Sequence, residues 1–114
     1  GLYRPQLDAV EGTWPLDMIA HVYADKAFLG ADALDPRAGL TTSSMTVAPI
    51  ELAMIRRTRG EVIVLADSSK IGMVGPLVIC PLAQIDGILV DDAIDPELVR
   101  QIQREGPQCE VVSA

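Results

Sequence analysis

Glu61-Val-Ile-Val-Leu-Ala-Asp-Ser-Ser-Lys-Ile-Gly72 constrains the fold more than any other stretch of this chain. Val62 to Ala66 is an unbroken apolar run without the alternation of a half-exposed strand, so it predicts a strand buried on both faces and central in a parallel sheet. The run stops at Asp67, and Ser68, Ser69 and Lys70 follow where the carboxyl end of that strand would emerge. In open α/β sheets, that edge is where ligands bind.

A chain of 114 residues is one domain by length. Its composition, 49% hydrophobic with only 4% aromatic, describes an aliphatic core without an aromatic stacking platform. The net charge of -7 opposes binding to phosphodiester backbones, which calls for clustered Lys and Arg, so these residues by themselves are a poor nucleic-acid binder. No apolar run approaches the roughly 20 residues of a membrane span, and no signal-peptide pattern opens the chain. A cytoplasmic location is expected. Cys80 and Cys109 have no metal-type spacing and are too few for a disulfide framework, so they read as free core thiols, and no metal or cofactor is implied.

Gly1 to Gly12 carries Gly, Pro and scattered polar groups and reads as a loop or irregular edge hairpin. Trp14, Leu16, Met18, Ile19 and Val22 recur at near-helical spacing behind a Thr13 cap, which predicts a helix to about Tyr23. Lys26 to Ala31 predicts a second parallel strand ending at Asp32. Leu34 to Ser44, with Pro36, Gly39 and four consecutive hydroxyl residues, predicts a loop. Thr46 then caps a helix with Ile50, Ala53 and Met54 inward, ending between Arg57 and Gly60. Beyond the central strand, Leu77 to Cys80 between Pro76 and Pro81 suggests an edge strand, and Leu82 to Asp86 a single helical turn. Gly87 to Val90 is a short strand closing on Asp91 and Asp92, Asp95 caps a helix from Pro96 to Arg104, and Cys109 to Val112 is a last strand. This order predicts an α/β fold, an open and mostly parallel sheet in three layers.

Three predicted strands end on carboxylates, Asp32, Asp67 and Asp91, and parallel strands bring their carboxyl ends to one rim. Carboxylates there can accept hydrogen bonds from the hydroxyls of a polyol or sugar. Each Asp can equally cap a following turn. The cap is the reading for Asp91, Asp92 and Asp95, and both readings stand open for Asp32. Lys70, behind two serines, can reach over the rim and offer a cation to an anion, or can be a solvated loop lysine. Thr41, Thr42, Ser43 and Ser44 precede a helix, whose amino end favours phosphate but is also simply capped by such residues. His21 has no apparent Ser or Cys partner and reads as a surface or packing histidine. Neither a dinucleotide fingerprint nor a Walker loop is present.

Ala24-Asp25-Lys26-Ala27-Phe28-Leu29-Gly30-Ala31-Asp32-Ala33-Leu34-Asp35, Gly39-Leu40-Thr41-Thr42, Ala53-Met54-Ile55 and Val64-Leu65-Ala66-Asp67-Ser68-Ser69-Lys70-Ile71-Gly72 together resemble the effector-binding domain of DeoR-family transcriptional regulators. Gly1-Leu2-Tyr3-Arg4-Pro5 resembles the segment preceding it, so the resemblance covers nearly the whole chain. It implies a fold similar to ribose-phosphate isomerase and glucosamine-phosphate deaminase, Rossmann-like, and a bacterial regulator of sugar metabolism that binds a phosphorylated sugar. Position by position, it assigns Asp32, Asp35, Thr41 and Thr42 to the effector pocket and Lys70 to its anionic end. The family's winged helix-turn-helix and its Asp-x-Gly-Thr-Thr phosphate loop have no counterpart here. The expectation is therefore that residues 1–114 are the C-terminal portion of an effector domain truncated on its N-terminal side. Weak effector binding and pairing with a second copy through an exposed sheet edge are also expected, with DNA bound only through a separate domain. Ala33 stands where the family often has Gly. The alternative is a sugar-phosphate isomerase with Asp32 or Asp35 as general base. Those enzymes carry a Lys-Gly-Gly-Gly type loop where this chain has Gly39-Leu40-Thr41-Thr42, which favours the sensor.

Overall fold

The computed structural model describes residues 23–113. Expectations for residues 1–22, including the helix capped at Thr13, His21 and the Gly-x-x-Arg-Pro segment, lie outside that range. The described chain runs β1 (Ala24–Gly30), β2 (Ala33–Asp35), β3 (Gly39–Thr42), α1 (Val47–Arg56), β4 (Thr58–Ala66), a 3-10 turn (Ser68–Lys70), β5 (Leu77–Cys80), a second 3-10 turn (Leu82–Gln84), β6 (Gly87–Asp91), α2 (Pro96–Arg104) and β7 (Gln108–Val112).

Four strands form a parallel sheet in the order β1-β4-β6-β7, so the fold is α/β as expected, with β4 between two neighbours. The order advances in one direction only. Right-handed crossovers between parallel strands then deliver every connection to the same face. Burial agrees: Leu29, Val62, Val64, Ile88 and Val90 form one core with Ile50, Met54 and Ile55 of α1 and Ile102 of α2. The alternate residues of the same strands face the other way, and there Phe28 is 53% and Leu65 45% exposed. Lys26 and Glu61, paired across β1 and β4 at 3.2 Å, close the amino end of that face. The expectation that Val62 to Ala66 is buried on both faces is thus corrected within the described residues. Its even positions meet the helices, and its odd positions, Ile63 and Leu65, meet none of them. A third layer over this second face is not among the described residues.

The predicted loop from Leu34 to Ser44 is instead a hairpin. β2 and β3 pair antiparallel, and β5 adds to β3 to complete a three-stranded sheet of order β2-β3-β5. Turn residues dominate the composition, but they serve one tight bend. Asp35 Oδ2 accepts the backbone N–H groups of Arg37 and Ala38, both at 2.9 Å, and Gly39 takes a φ of +87°. A side chain at Gly39 would also strike the Cys80 carbonyl of β5, so only glycine fits this bend. β5 is an edge strand as predicted, in this second sheet rather than the parallel one. Ala33 lies buried in β2, opposite Thr41, and no residue other than glycine has positive φ among the described residues. The backbone there does not require the glycine that the family often carries.

Two boundaries also differ. Thr46 makes no side-chain cap; Ser44 Oγ accepts the Val47 N–H at 3.1 Å and does that work for α1. The helix stops at Arg56, and β4 starts at Thr58, because the polar stretch before Val62 pairs with the start of β1, Ala24 opposite Thr58. At α2 the prediction holds, with Asp95 accepting the Glu97 N–H at 2.9 Å and Pro96 in the first turn.

Candidate functional site

The carboxyl ends of β1, β4 and β6 lie side by side, which brings Asp32, Asp67 and Asp91 to one edge of the sheet. Two backbone contacts then draw the segments following β1 and β4 together. The Ala31 N–H donates to the Leu65 carbonyl at 3.1 Å, and beyond it Leu34 forms a parallel bridge with Ile71, closed by the Gly72 N–H on the Leu34 carbonyl at 2.7 Å. The chain carrying Asp32 and Asp35 therefore runs alongside the chain carrying Lys70. Asp32 and Lys70 are exposed and Asp35 is half-buried.

Asp32, Asp35, Thr41, Thr42 and Asp67 each have a defined local role. Asp32 Oδ2 accepts the Thr42 hydroxyl at 2.7 Å, and Thr42 Oγ1 in turn accepts the Ser44 N–H at 3.1 Å. This chain of bonds fixes the Asp32 carboxylate against the end of β3. Thr41 Oγ1 accepts the Gly75 N–H at 2.7 Å, which ties β3 to the segment following Lys70. Both threonines are fully buried, at 0% and 1% exposure, so their hydroxyls are spent inside the protein. Gly75 approaches so closely that a Cβ there would lie 2.9 Å from the backbone carbon and oxygen of Thr42. Asp35 holds the β2–β3 turn. Asp67 accepts the Ser69 N–H at 3.1 Å and caps the 3-10 turn that ends at Lys70.

Asp91 is the functional candidate that pattern reading undervalued. Its Oδ1 caps its own turn through the Ala93 N–H at 3.1 Å, as expected, but Oδ2 reaches across to β4 and accepts the Ser68 N–H at 2.9 Å. Local spacing cannot reveal a bond between positions 68 and 91; the shared rim could. The Ser68 amide and hydroxyl, followed by the Ala93 amide, hold the Asp91 carboxyl below its ordinary value, so it is ionised at neutral pH. Beside it lies an open cleft of about 380 Å³, lined by Leu65, Leu89 and Val112 with Asp67 and Asp91. Asp32, Asp35 and Lys70 stand outside that lining. Among the described residues, no three His, Cys, Asp or Glu side chains gather as a metal site, and no helix is long and apolar enough to cross a membrane.

The family model for the DeoR C terminal sensor domain matches residues 1–92. The chain belongs to this family. Similar proteins agree: the sensor domain is 33% identical over 108 residues to a transcriptional regulator of the sgc region in Escherichia coli K12, covering 95% of this chain and 41% of that protein. It is 28% identical to the HTH-type transcriptional regulator GlpR of Haloferax volcanii, and 25% identical to the HTH-type transcriptional regulator GolR of Listeria innocua. Each of those two matches covers 93% of this chain and 41% of the relative. The sensor domain thus spans about two fifths of the length of the curated relatives it matches.

Proposed function

We propose that this sensor domain binds a phosphorylated sugar at the edge formed by Asp32, Asp35 and Lys70, and that binding alters the DNA affinity of a separate N-terminal domain in a cytoplasmic regulator of sugar metabolism. The observation that carries the reading is the bridge between Leu34 and Ile71, which sets two carboxylates and a lysine on neighbouring segments of one rim. Carboxylates accept hydrogen bonds from sugar hydroxyls, and the ammonium of Lys70 supplies a cation for the phosphate. Thr41 and Thr42 contribute by holding the walls, since each hydroxyl already bonds a neighbour. A ligand of unequal affinity for two subunit arrangements shifts their populations, and that is how occupancy reaches DNA.

An isomerase reading finds less support. Asp35 Oδ2 is engaged by two backbone amides, which suits a turn-former better than a proton shuttle, and Gly39–Thr42 is a buried strand where the enzymes carry a glycine loop. The test is thermal stabilisation of the intact regulator by a panel of sugar phosphates. One of them raises the melting temperature of the wild type, and Lys70→Ala removes most of that shift. An equal shift in the variant takes Lys70 out of the site.

A further inference from the structure

We propose that Asp91 is a positioning residue for the anionic end of this site: by accepting the Ser68 N–H, it sets the turn that carries Lys70. The inference rests on the sugar-phosphate reading, in which Lys70 meets the phosphate.

The segment from Asp67 to Gly75 has little regular structure of its own, three residues of 3-10 helix followed by a connection to β5. It is held by bonds to its surroundings. Gly72 is tied to the Leu34 carbonyl and Gly75 to Thr41 Oγ1, both on the β1 side of Lys70. On the other side there is Asp91, bonded to the first residue of the turn from the neighbouring strand β6. Asp67 caps the turn from within and meets the neighbouring strand through the same Asp91 carboxyl. Lys70 ends a turn only three residues long, and its own N–H donates to the Asp67 carbonyl at 2.8 Å. A rotation of the turn about Asp67 therefore swings the lysine. Asp91 is the brace against that rotation from the β6 side.

Electrostatics alone predicts the opposite sign, which makes the proposal testable. Asp91 is a negative charge near an anion site, so deleting it should tighten phosphate binding if charge were its only influence. As a brace, its loss should weaken binding, and only through Lys70.

The experiment is a double-mutant cycle on the intact protein, with inorganic phosphate and then ribose 5-phosphate as probes in calorimetric titrations. Asp91→Ala is expected to weaken phosphate binding about fivefold, the scale of one lost hydrogen bond, and to have no further effect in a Lys70→Ala background. Asp91→Asn, which keeps one acceptor oxygen, should fall between. Ser68→Pro deletes the same bond, and the hydroxyl bond beside it, from the donor side while leaving the carboxylate in place. Proline suits the first position of such a turn, and Asp67 before it already has the extended backbone that proline requires, φ -79° and ψ 140°. It should reproduce the Asp91→Ala loss even if Asp91→Ala fails to fold, while Ser68→Ala, which keeps the N–H and gives up only the hydroxyl that also bonds Asp91, should lose less than Ser68→Pro. Unchanged or tighter binding in Asp91→Ala and Ser68→Pro, or an equal loss in the Lys70→Ala background, overturns the brace and leaves the sensor reading standing. Absence of any Lys70→Ala effect on either probe instead removes the sensor site, and the brace with it.

Discussion

Cys80 illustrates how far a single buried side chain is governed by its surroundings. Burial pushes its thiol up to about 11, and the charge of Glu51 adds to the effect. The folded protein therefore keeps a proton that the unfolded chain releases near the ordinary value of 9.0. Its contribution to stability is complete below pH 9 and is lost as pH rises from 9 towards 11. Unfolding free energies measured over that range should fall less steeply in Cys80→Ala than in the wild type, by at most the slope of one proton, about 1 kcal/mol per pH unit; parallel slopes would contradict the assignment. The sequence reading of both cysteines as unlinked thiols agrees with the structure, Cys80 buried in β5 and Cys109 half-buried in β7. Asp32 and Lys70 could be singled out because each follows a strand signal, whereas Asp35 entered only through the resemblance to the family. The use made of Thr41 and Thr42 could not be read, because their partners, Gly75 and Asp32, are distant in sequence.

Elements with strong periodicity or clear caps were legible: α2 with its Asp95 cap, and the cores of β1, β4 and β6. The β2–β3 hairpin was not, since strands of three and four residues offer too few positions for a period, and Pro36 and Gly39 dominate the local signal. A five-residue apolar run likewise says that a strand is apolar on both faces without saying that both are covered. β1 makes the distinction measurable, because Phe28 and Leu29 are adjacent yet face opposite ways. Leu29→Ala should cost about 2–5 kcal/mol in chemical denaturation, as truncation of a fully buried leucine does, whereas Phe28→Ala should cost well under half of that, its ring being 53% exposed. Equal losses would show Phe28 to be covered in solution.

At the scale of the molecule, the parallel sheet and the shared carboxylate rim followed from the order of apolar segments, but its one-sided covering among the described residues did not. Only the strand order β1-β4-β6-β7 reveals that α1 and α2 fall on one face. Among the described residues the opposite face presents Phe28 and Leu65, beyond the Lys26–Glu61 pair at its amino end, and soluble monomers seldom leave such surfaces bare. We propose that a second copy covers this face in the intact protein, which would give a light-scattering mass that is a multiple of its chain mass. A monomer mass at micromolar concentration would refute this.

The direction of winding has one more effect. Because every strand is laid down on the same side of its predecessor, the described sheet grows away from β1, whose outer flank has no neighbour among those strands. Asp32 emerges beside that flank. A parallel strand docked there would bring its own terminal loop to the same edge of the sheet as the carboxylate. Such a pocket can be finished from outside, like an arch awaiting its last stone.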